Sequence, residues 1–263
     1  MKAVIFAGGF GSRLSEETTL KPKPLLEIGG YPILLHIMQM YSNHGVNEFI
    51  ILVGYKGHLI KEYFLNFMAH MQDITIDLRS GAVNYLDGHR TRPDWHISVI
   101  DTGETTMTGG RLKRVKHLLA DETHFALTYG DGVSDIDITA LEAFHKGHGR
   151  IGTVTAVKPP GRFGALELQG SEVSRFIEKP MGDGAYINGG FFIFTPQIFD
   201  YLTDDACVFE QEPLQGLARD GQLNAFVHRG FWQCMDTLRD KNYLEALCGQ
   251  QKAPWMALGA IGQ

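Results

Sequence analysis

The sequence predicts an α/β fold built on a mixed, mostly parallel central sheet with helices packed on it. Three observations carry that expectation. A short, wholly apolar run at residues 3–7 is closed by Gly8 and Gly9, apolar strand-like runs alternate with helix-spaced segments through the first half, and the composition is ordinarily globular, 44% hydrophobic and 21% charged over 263 residues. A continuous apolar run of that kind suits a strand covered on both faces, the usual state in a parallel sheet. After Pro32 the apolar positions Ile33, Ile37, Met40 and Tyr41 recur at helical spacing, and Gly45 is placed to stop the helix. Residues 48–53 resume as a strand, and further strands are expected at 97–100, 125–129, 153–157, 174–177, 191–194 and 225–228. Helical patterns fall around 57–70, 110–120, 138–148, 211–219 and 238–248. This alternation implies right-handed βαβ units, while the second half reads as more mixed. Met38, Met40, Phe64 and Phe67 are core candidates. Residues 71–96 read as a long irregular insertion into one domain spanning 1–263. A lid or a subunit contact is the role expected for it, because Tyr85 and Trp95 stand there among polar residues.

A formal charge of -6 and a pI near 6.0 argue against a dedicated nucleic-acid binder, so an anionic substrate must meet a local positive site. Cys207, Cys234 and Cys248 are odd in number and form no Cys-x-x-Cys pair, which argues against a disulfide framework or a structural zinc site. The first apolar run is too short for a signal-peptide core, and no apolar stretch approaches the roughly 18 residues of a membrane span. Reduced thiols, a cytoplasmic address and no membrane partner are the expectation.

The segment Gly8-Gly9-Phe10-Gly11-Ser12-Arg13-Leu14 directly follows the first strand, where open α/β sheets bind ligands beyond the carboxyl ends of their strands. Glycines let the backbone turn tightly so that successive N–H groups face a phosphate, and Arg13 adds a charge-assisted donor. A ligand-free tight turn explains the glycines but not the arginine. A dinucleotide fingerprint needs a glycine where Leu14 stands, and a P-loop needs the absent GK[ST]. Further cations come from Lys21-Pro22-Lys23-Pro24, whose prolines favour an extended path with both lysines on one side. Lys23 is the residue expected on phosphate, a solvated lysine pair being the alternative.

Tyr129-Gly130-Asp131-Gly132 ends a predicted strand and exposes Asp131 at the ligand edge, unless the aspartate only serves a β-turn. Asp236, in Trp232-Gln233-Cys234-Met235-Asp236-Thr237-Leu238, falls between a strand and a helix, where it either caps the helix or binds metal. Magnesium is usually held by one or two carboxylates plus substrate phosphate oxygens, a task Asp131 and Asp236 could share. His145 and His148 have metal-compatible helical spacing but no third ligand nearby, so a solvated helix end is expected there. No Gly-x-Ser-x-Gly elbow or Cys–His signature points to an acyl-enzyme.

The glycine loop followed by Lys21-Pro22-Lys23-Pro24-Leu25 resembles the signature of the nucleotide-sugar pyrophosphorylases, with Ser12 where that family usually has threonine and Phe6 where it commonly has leucine. Asp101-Thr102-Gly103, Thr108-Gly109-Gly110-Arg111-Leu112-Lys113-Arg114, Tyr129 to Val133, Gly161-Arg162-Phe163-Gly164-Ala165 and Phe231 to Asp240 extend the resemblance over nearly the whole chain. They narrow it to members that use CTP and glucose 1-phosphate. The resemblance implies a Rossmann-like, three-layer nucleotide-diphospho-sugar transferase fold, and direct in-line attack on the α-phosphorus to give CDP-glucose and pyrophosphate. It implies Mg2+ on Asp131 and Asp236, and catalytic roles for these two with Arg13, Lys23 and Lys179. Nucleotide contacts are implied for Phe6, Ala7, Gly8, Gly9, Gly11, Ser12, Arg13, Lys23, Thr106, Arg111 and Gly130. Sugar-phosphate contacts are implied for Tyr129, Glu178, Lys179, Asn188 and Gly189, the glycine permitting close approach to sugar hydroxyls and Asn188 supplying donor and acceptor. Homo-oligomerisation is implied as well. The same reaction with UTP or dTTP, and a catalytically silent nucleotide-sugar sensor on the same fold, are the alternative readings.

Overall fold

The apolar run that opens the chain forms strand β1 (Lys2–Phe6), and its side chains divide between two core clusters, Ala3 and Ile5 in one, Val4 and Phe6 in the other. The computed structural model describes residues 1–9, 20–86, 93–159, 165–169, 171–177 and 185–259. The strands that follow, in chain order, are β2 (Glu27–Ile28), β3 (Tyr31–Pro32), β4 (Glu48–Val53), β5 (Ile74–Asp77), β6 (Ala82–Tyr85), β7 (His96–Asp101), β8 (Phe125–Tyr129), β9 (Gly132–Ser134), β10 (Gly152–Val157), β11 (Ala165–Gln169), β12 (Glu172–Ile177), β13 (Ile187–Phe194), β14 (Leu223–Val227) and β15 (Trp232–Cys234).

Among the described residues the central sheet has seven strands in the order β14-β10-β13-β8-β1-β4-β7. β1 pairs in parallel with β4 and β8, and β4 with β7. The helices Ile33–Ser42, Gly57–Leu65 and Thr108–Arg114 lie between these strands in sequence, which is the expected βαβ alternation. β13 runs antiparallel to both β8 and β10, so the sheet is mixed in its second half, as anticipated.

Both faces are covered, which is why the central strands carry apolar residues at successive positions. Ile5, Ile51 and Phe191 pack into the cluster that holds Leu34, Ile37, Met38 and Tyr41 of the helix Ile33–Ser42. Phe125, Phe192 and Phe194 join the other cluster with Leu112, Val115, Leu119 and Phe199. Each such fully buried side chain contributes about 1.5–3 kcal/mol. The result is three layers, with Phe64 and Phe67 half-buried at the edge of the first cluster.

Chain order reverses around β1, with β4 and β7 on one side and β8 on the other. Such a switch point opens a crevice beyond the carboxyl ends of the strands. Three backbone bonds carry the sheet into the loops there: Ala7 N to Leu52 O at 2.8 Å, Thr102 N to Val53 O at 2.9 Å, and Gly130 N to Phe6 O at 2.9 Å. The start of the glycine loop at Ala7 to Gly9, the segment after β7 and the Gly130-Asp131 turn therefore meet at one place.

Two local expectations are corrected. Residues 71–96 are not irregular throughout: β5 and β6 form an antiparallel hairpin in which Ile74 faces Tyr85 and Ile76 faces Val83. The Asp77 carboxylate accepts from Arg79 N at 2.9 Å and from Ser80 Oγ at 2.7 Å, and Gly81 takes a left-handed φ of 77°, so the turn is chemically specified. Four-residue strands exposed on all positions show too little patterning to be read from sequence. His145 is likewise no solvated helix end. It is 3% exposed on the helix Ile138–His148, with Nδ1 at 2.8 Å from Thr153 Oγ1 of β10. Burial, then the neighbouring imidazole of His148, lowers its pKa to about 4. Among the described residues no helix is long and apolar enough to cross a membrane.

Candidate active site

Pro22 leads into a single 3-10 turn, Lys23–Leu25, whose Pro24 and Leu25 are buried. Proline fits the first turn of a helix, so after an extended Pro22 the chain curls at Lys23-Pro24-Leu25, where an extended path was expected. Lys21 and Lys23 consequently part company. Lys21 stays at the surface on Glu27, 2.9 Å away, while Lys23 turns inward. Its ammonium lies 2.6 Å from Asp131 Oδ2 and 2.7 Å from Asp236 Oδ1.

A short ladder brings those two aspartates together. β15 pairs antiparallel with β9, Cys234 facing Gly132, and Met235 N donates to Asp131 O at 2.8 Å. The cap of the helix Leu238–Gly249 is Thr237, in a reciprocal box with Asp240, and not Asp236. Burial by itself would lower the pKa of Lys23, but the charges and hydrogen bonds of Asp131 and Asp236 outweigh it and hold the ammonium above its ordinary value. The thiol of Cys234 is pushed up to about 12 by burial and then by Asp236 and Asp131, so it stays protonated and is no nucleophile at neutral pH.

The donor set fits a divalent cation shared with a substrate. Two hard carboxylate oxygens converge on one point, and the Lys23 ammonium shows that the point stabilises positive charge. Among the described residues no group of three or more His, Cys, Asp or Glu could hold a metal by itself. Phosphate oxygens and water would have to complete the shell, as is usual for magnesium.

Two cavities abut this cluster. The first, about 440 Å³, is lined by Phe6, Ala7, Gly8 and Gly9, by Lys23, by Glu104 to Thr108, and by Arg111, Gly130, Asp131 and Asp236. The second, about 540 Å³, is lined by Asn188, Gly189 and Gly190, by Glu210, Trp232 and Cys234, and again by Asp131 and Asp236. Tyr129, Asp131 and Asp236 belong to both walls. A Cβ on Gly130 would lie 2.8 Å from Phe6 O, so only glycine allows β8 to continue this close to β1.

Arg111 is 5% exposed at the wall of the first cavity. Its Nη1 donates to Thr102 Oγ1 at 2.7 Å, Gly103 O at 2.8 Å and Val53 O at 3.0 Å, and its Nη2 to Gly8 O and Glu104 O at 3.2 Å each. One planar cation thus ties Gly8, the end of β4 and the segment after β7 into one frame. Thr106, 6% exposed, sits on that last segment.

Of the residues singled out from sequence, Phe6 to Gly9, Lys23, Thr106, Arg111, Tyr129, Gly130, Asp131, Asn188, Gly189 and Asp236 gather around the two cavities. Gly11, Ser12, Arg13, Glu178 and Lys179 lie outside the described residues. Sequence reasoning missed Glu210 and gave Trp232 no role. Glu210 belongs to an acidic stretch with no motif or period, and only the folded chain places it against Tyr129.

The family model described as nucleotidyl transferase matches residues 2–249. The chain is 57% identical to the glucose-1-phosphate cytidylyltransferase of Salmonella typhi, covering 97% of this chain and 98% of that one. It is 44% identical to the probable glucose-1-phosphate cytidylyltransferase of Bacillus subtilis (strain 168), covering 97% and 99%. The crystal structure of a putative glucose-1-phosphate thymidylyltransferase from Bacillus anthracis superposes with a TM-score of 0.69 at 18% identity, covering 94% of this chain and 95% of that one, which shows the shared fold. With the family model spanning nearly its full length, the chain belongs to the nucleotidyl transferase family.

Proposed function

We propose that the chain joins CTP to α-D-glucose 1-phosphate, forming CDP-glucose and releasing pyrophosphate, as one nucleotidyltransferase domain in the cytoplasm. The observation that carries the reading is the shared wall: two cavities meet at a pair of carboxylates bridged by a lysine. The 57% and 44% identical relatives bear the name of that activity, and the three free thiols suit a reducing compartment.

The first cavity takes the triphosphate against the glycine loop, and the second takes the sugar phosphate. An oxygen of the sugar phosphate attacks the α-phosphorus in line, the new P–O bond forms, and the bond to the β-phosphate oxygen breaks, with the electron pair leaving on pyrophosphate. Both reactants are anions, so the protein's task is to hold them together and offset the charge that grows on the leaving group. Lys23 reaches the shared wall, while Arg13 and Lys179 are assigned to the triphosphate and the sugar phosphate. Mg2+ held by Asp131 and Asp236, when bound, neutralises phosphate charge. Pyrophosphate release over a matrix of triphosphates and sugar 1-phosphates tests the reading. CTP with glucose 1-phosphate is expected to give the highest kcat/KM. A higher value with UTP or dTTP, or binding without release as a sensor would show, overturns it.

We also infer that the protein is a homo-oligomer joined through the β5–β6 hairpin. Ile74, Ile76, Val83 and Tyr85 share one face of that hairpin and are 38–50% exposed. A two-stranded hairpin with an uncovered apolar face is marginal alone, and a second copy covers it. Ile76→Glu is expected to lower the mass in sedimentation; an unchanged mass rejects this contact.

A further inference from the structure

Glu210 stands at the junction of the sugar-side cavity and the helix that carries Arg111. Its Oε1 accepts from the Tyr129 hydroxyl at 2.5 Å and its Oε2 from Thr108 Oγ1 at 2.8 Å. Thr108 opens the helix Thr108–Arg114, and its hydroxyl in turn accepts from Phe209 N at 2.9 Å. These bonds fix the carboxylate in place, yet it remains exposed and lines the second cavity beside Asn188 and Trp232. A carboxylate has about four acceptor positions, so the two bonds leave roughly half of its capacity available at the cavity wall.

The cavity must receive a molecule that is anionic at one end and neutral at the other. A carboxylate repels a phosphate and accepts readily from hydroxyls. Glu210 sits at the tip of the Tyr129 side chain, a phenol's length from the backbone that leads into Gly130 and Asp131. Trp232, half-buried with its indole Nε1 donating to Gly189 O at 2.6 Å, is a fixed apolar surface in the same wall. A rigid aromatic surface with a few oriented polar groups is how a pocket sets the pose of a small polar ligand.

We infer that Glu210 is a specificity-determining residue of the sugar-side cavity, accepting hydrogen bonds from the hydroxyls of the pyranose ring and turning the phosphate end toward Lys23 and the two aspartates. The inference rests on the assignment of the second cavity to the sugar phosphate. Glu210→Gln is the fitting variant, because its amide can still accept from Tyr129 and meet Thr108 while the charge and one acceptor edge are lost.

Calorimetric binding of CDP and CDP-glucose separates the possibilities without depending on turnover. The ratio of Kd for CDP to Kd for CDP-glucose is expected to fall about tenfold in Glu210→Gln, with Kd for CDP itself within about twofold, since hydrogen bonds to a charged group are the stronger kind. Steady-state kinetics should show the same split, KM for glucose 1-phosphate rising about tenfold and KM for CTP staying put. Deoxy analogues of glucose 1-phosphate add a second reading: the penalty that the wild type imposes on one of them should vanish in the variant. A wild type that prefers CDP-glucose while the variant keeps the full ratio overturns the role of Glu210 alone. A parallel loss of CDP affinity makes Glu210 a strut acting through Thr108 and also overturns it. A wild type with no preference for CDP-glucose over CDP overturns this inference together with the cavity assignment.

Discussion

Asp131→Asn and Asp236→Asn should each lower turnover by about two orders of magnitude or more, the usual cost of removing one preorganised electrostatic group at a reacting centre. Asparagine keeps the shape of aspartate and removes the charge, so each variant halves the charged donor set while leaving Lys23 one carboxylate partner. The fold should tolerate the change. Thr237 and Asp240 still cap the following helix, and the β9–β15 ladder is made by backbone groups. The check is pyrophosphate release from CTP and glucose 1-phosphate at saturating magnesium, with thermal unfolding measured alongside. Near-normal turnover in both variants would remove these residues from the chemistry.

Arg111→Lys should raise KM for CTP by about thirtyfold and lower Tm by roughly 2–12 °C, although the charge is conserved. The guanidinium reaches carbonyls on three separate segments at once, Gly8, Val53 and Gly103 with Glu104, and also Thr102 Oγ1. A single ammonium cannot span them, and acceptors left bare in a buried site cost about 1–3 kcal/mol. The loops would then drift apart, and with them the wall proposed for the nucleotide. Calorimetric unfolding and CTP saturation curves decide the matter, and wild-type values in both would show that the frame holds without the arginine.

Much of the architecture was legible because burial leaves a local trace. The wholly apolar run at residues 3–7 reported a strand with both faces covered, and the spacing of Ile33, Ile37, Met40 and Tyr41 reported the helix Ile33–Ser42. Where that trace was thin the reading failed. No position of the β5–β6 hairpin is fully buried within the chain, so its short alternation left too weak a trace to be told from a loop. His145 was misjudged because helix periodicity alone does not reveal that Thr153 of the neighbouring strand waits for its imidazole.

By itself the sequence determined which residues had the right chemistry: a glycine loop after the first strand, a lysine between prolines, and two aspartates at strand ends. Tertiary structure alone decided that the aspartates meet around Lys23, that Arg111 spends its donors on backbone carbonyls, and that Glu210 faces the same chamber as Asn188. The reason is physical. Periodicity encodes which side of an element is buried, whereas convergence of distant side chains depends on the order of strands in the sheet and on a three-residue ladder between β9 and β15, and neither leaves a repeat in the chain.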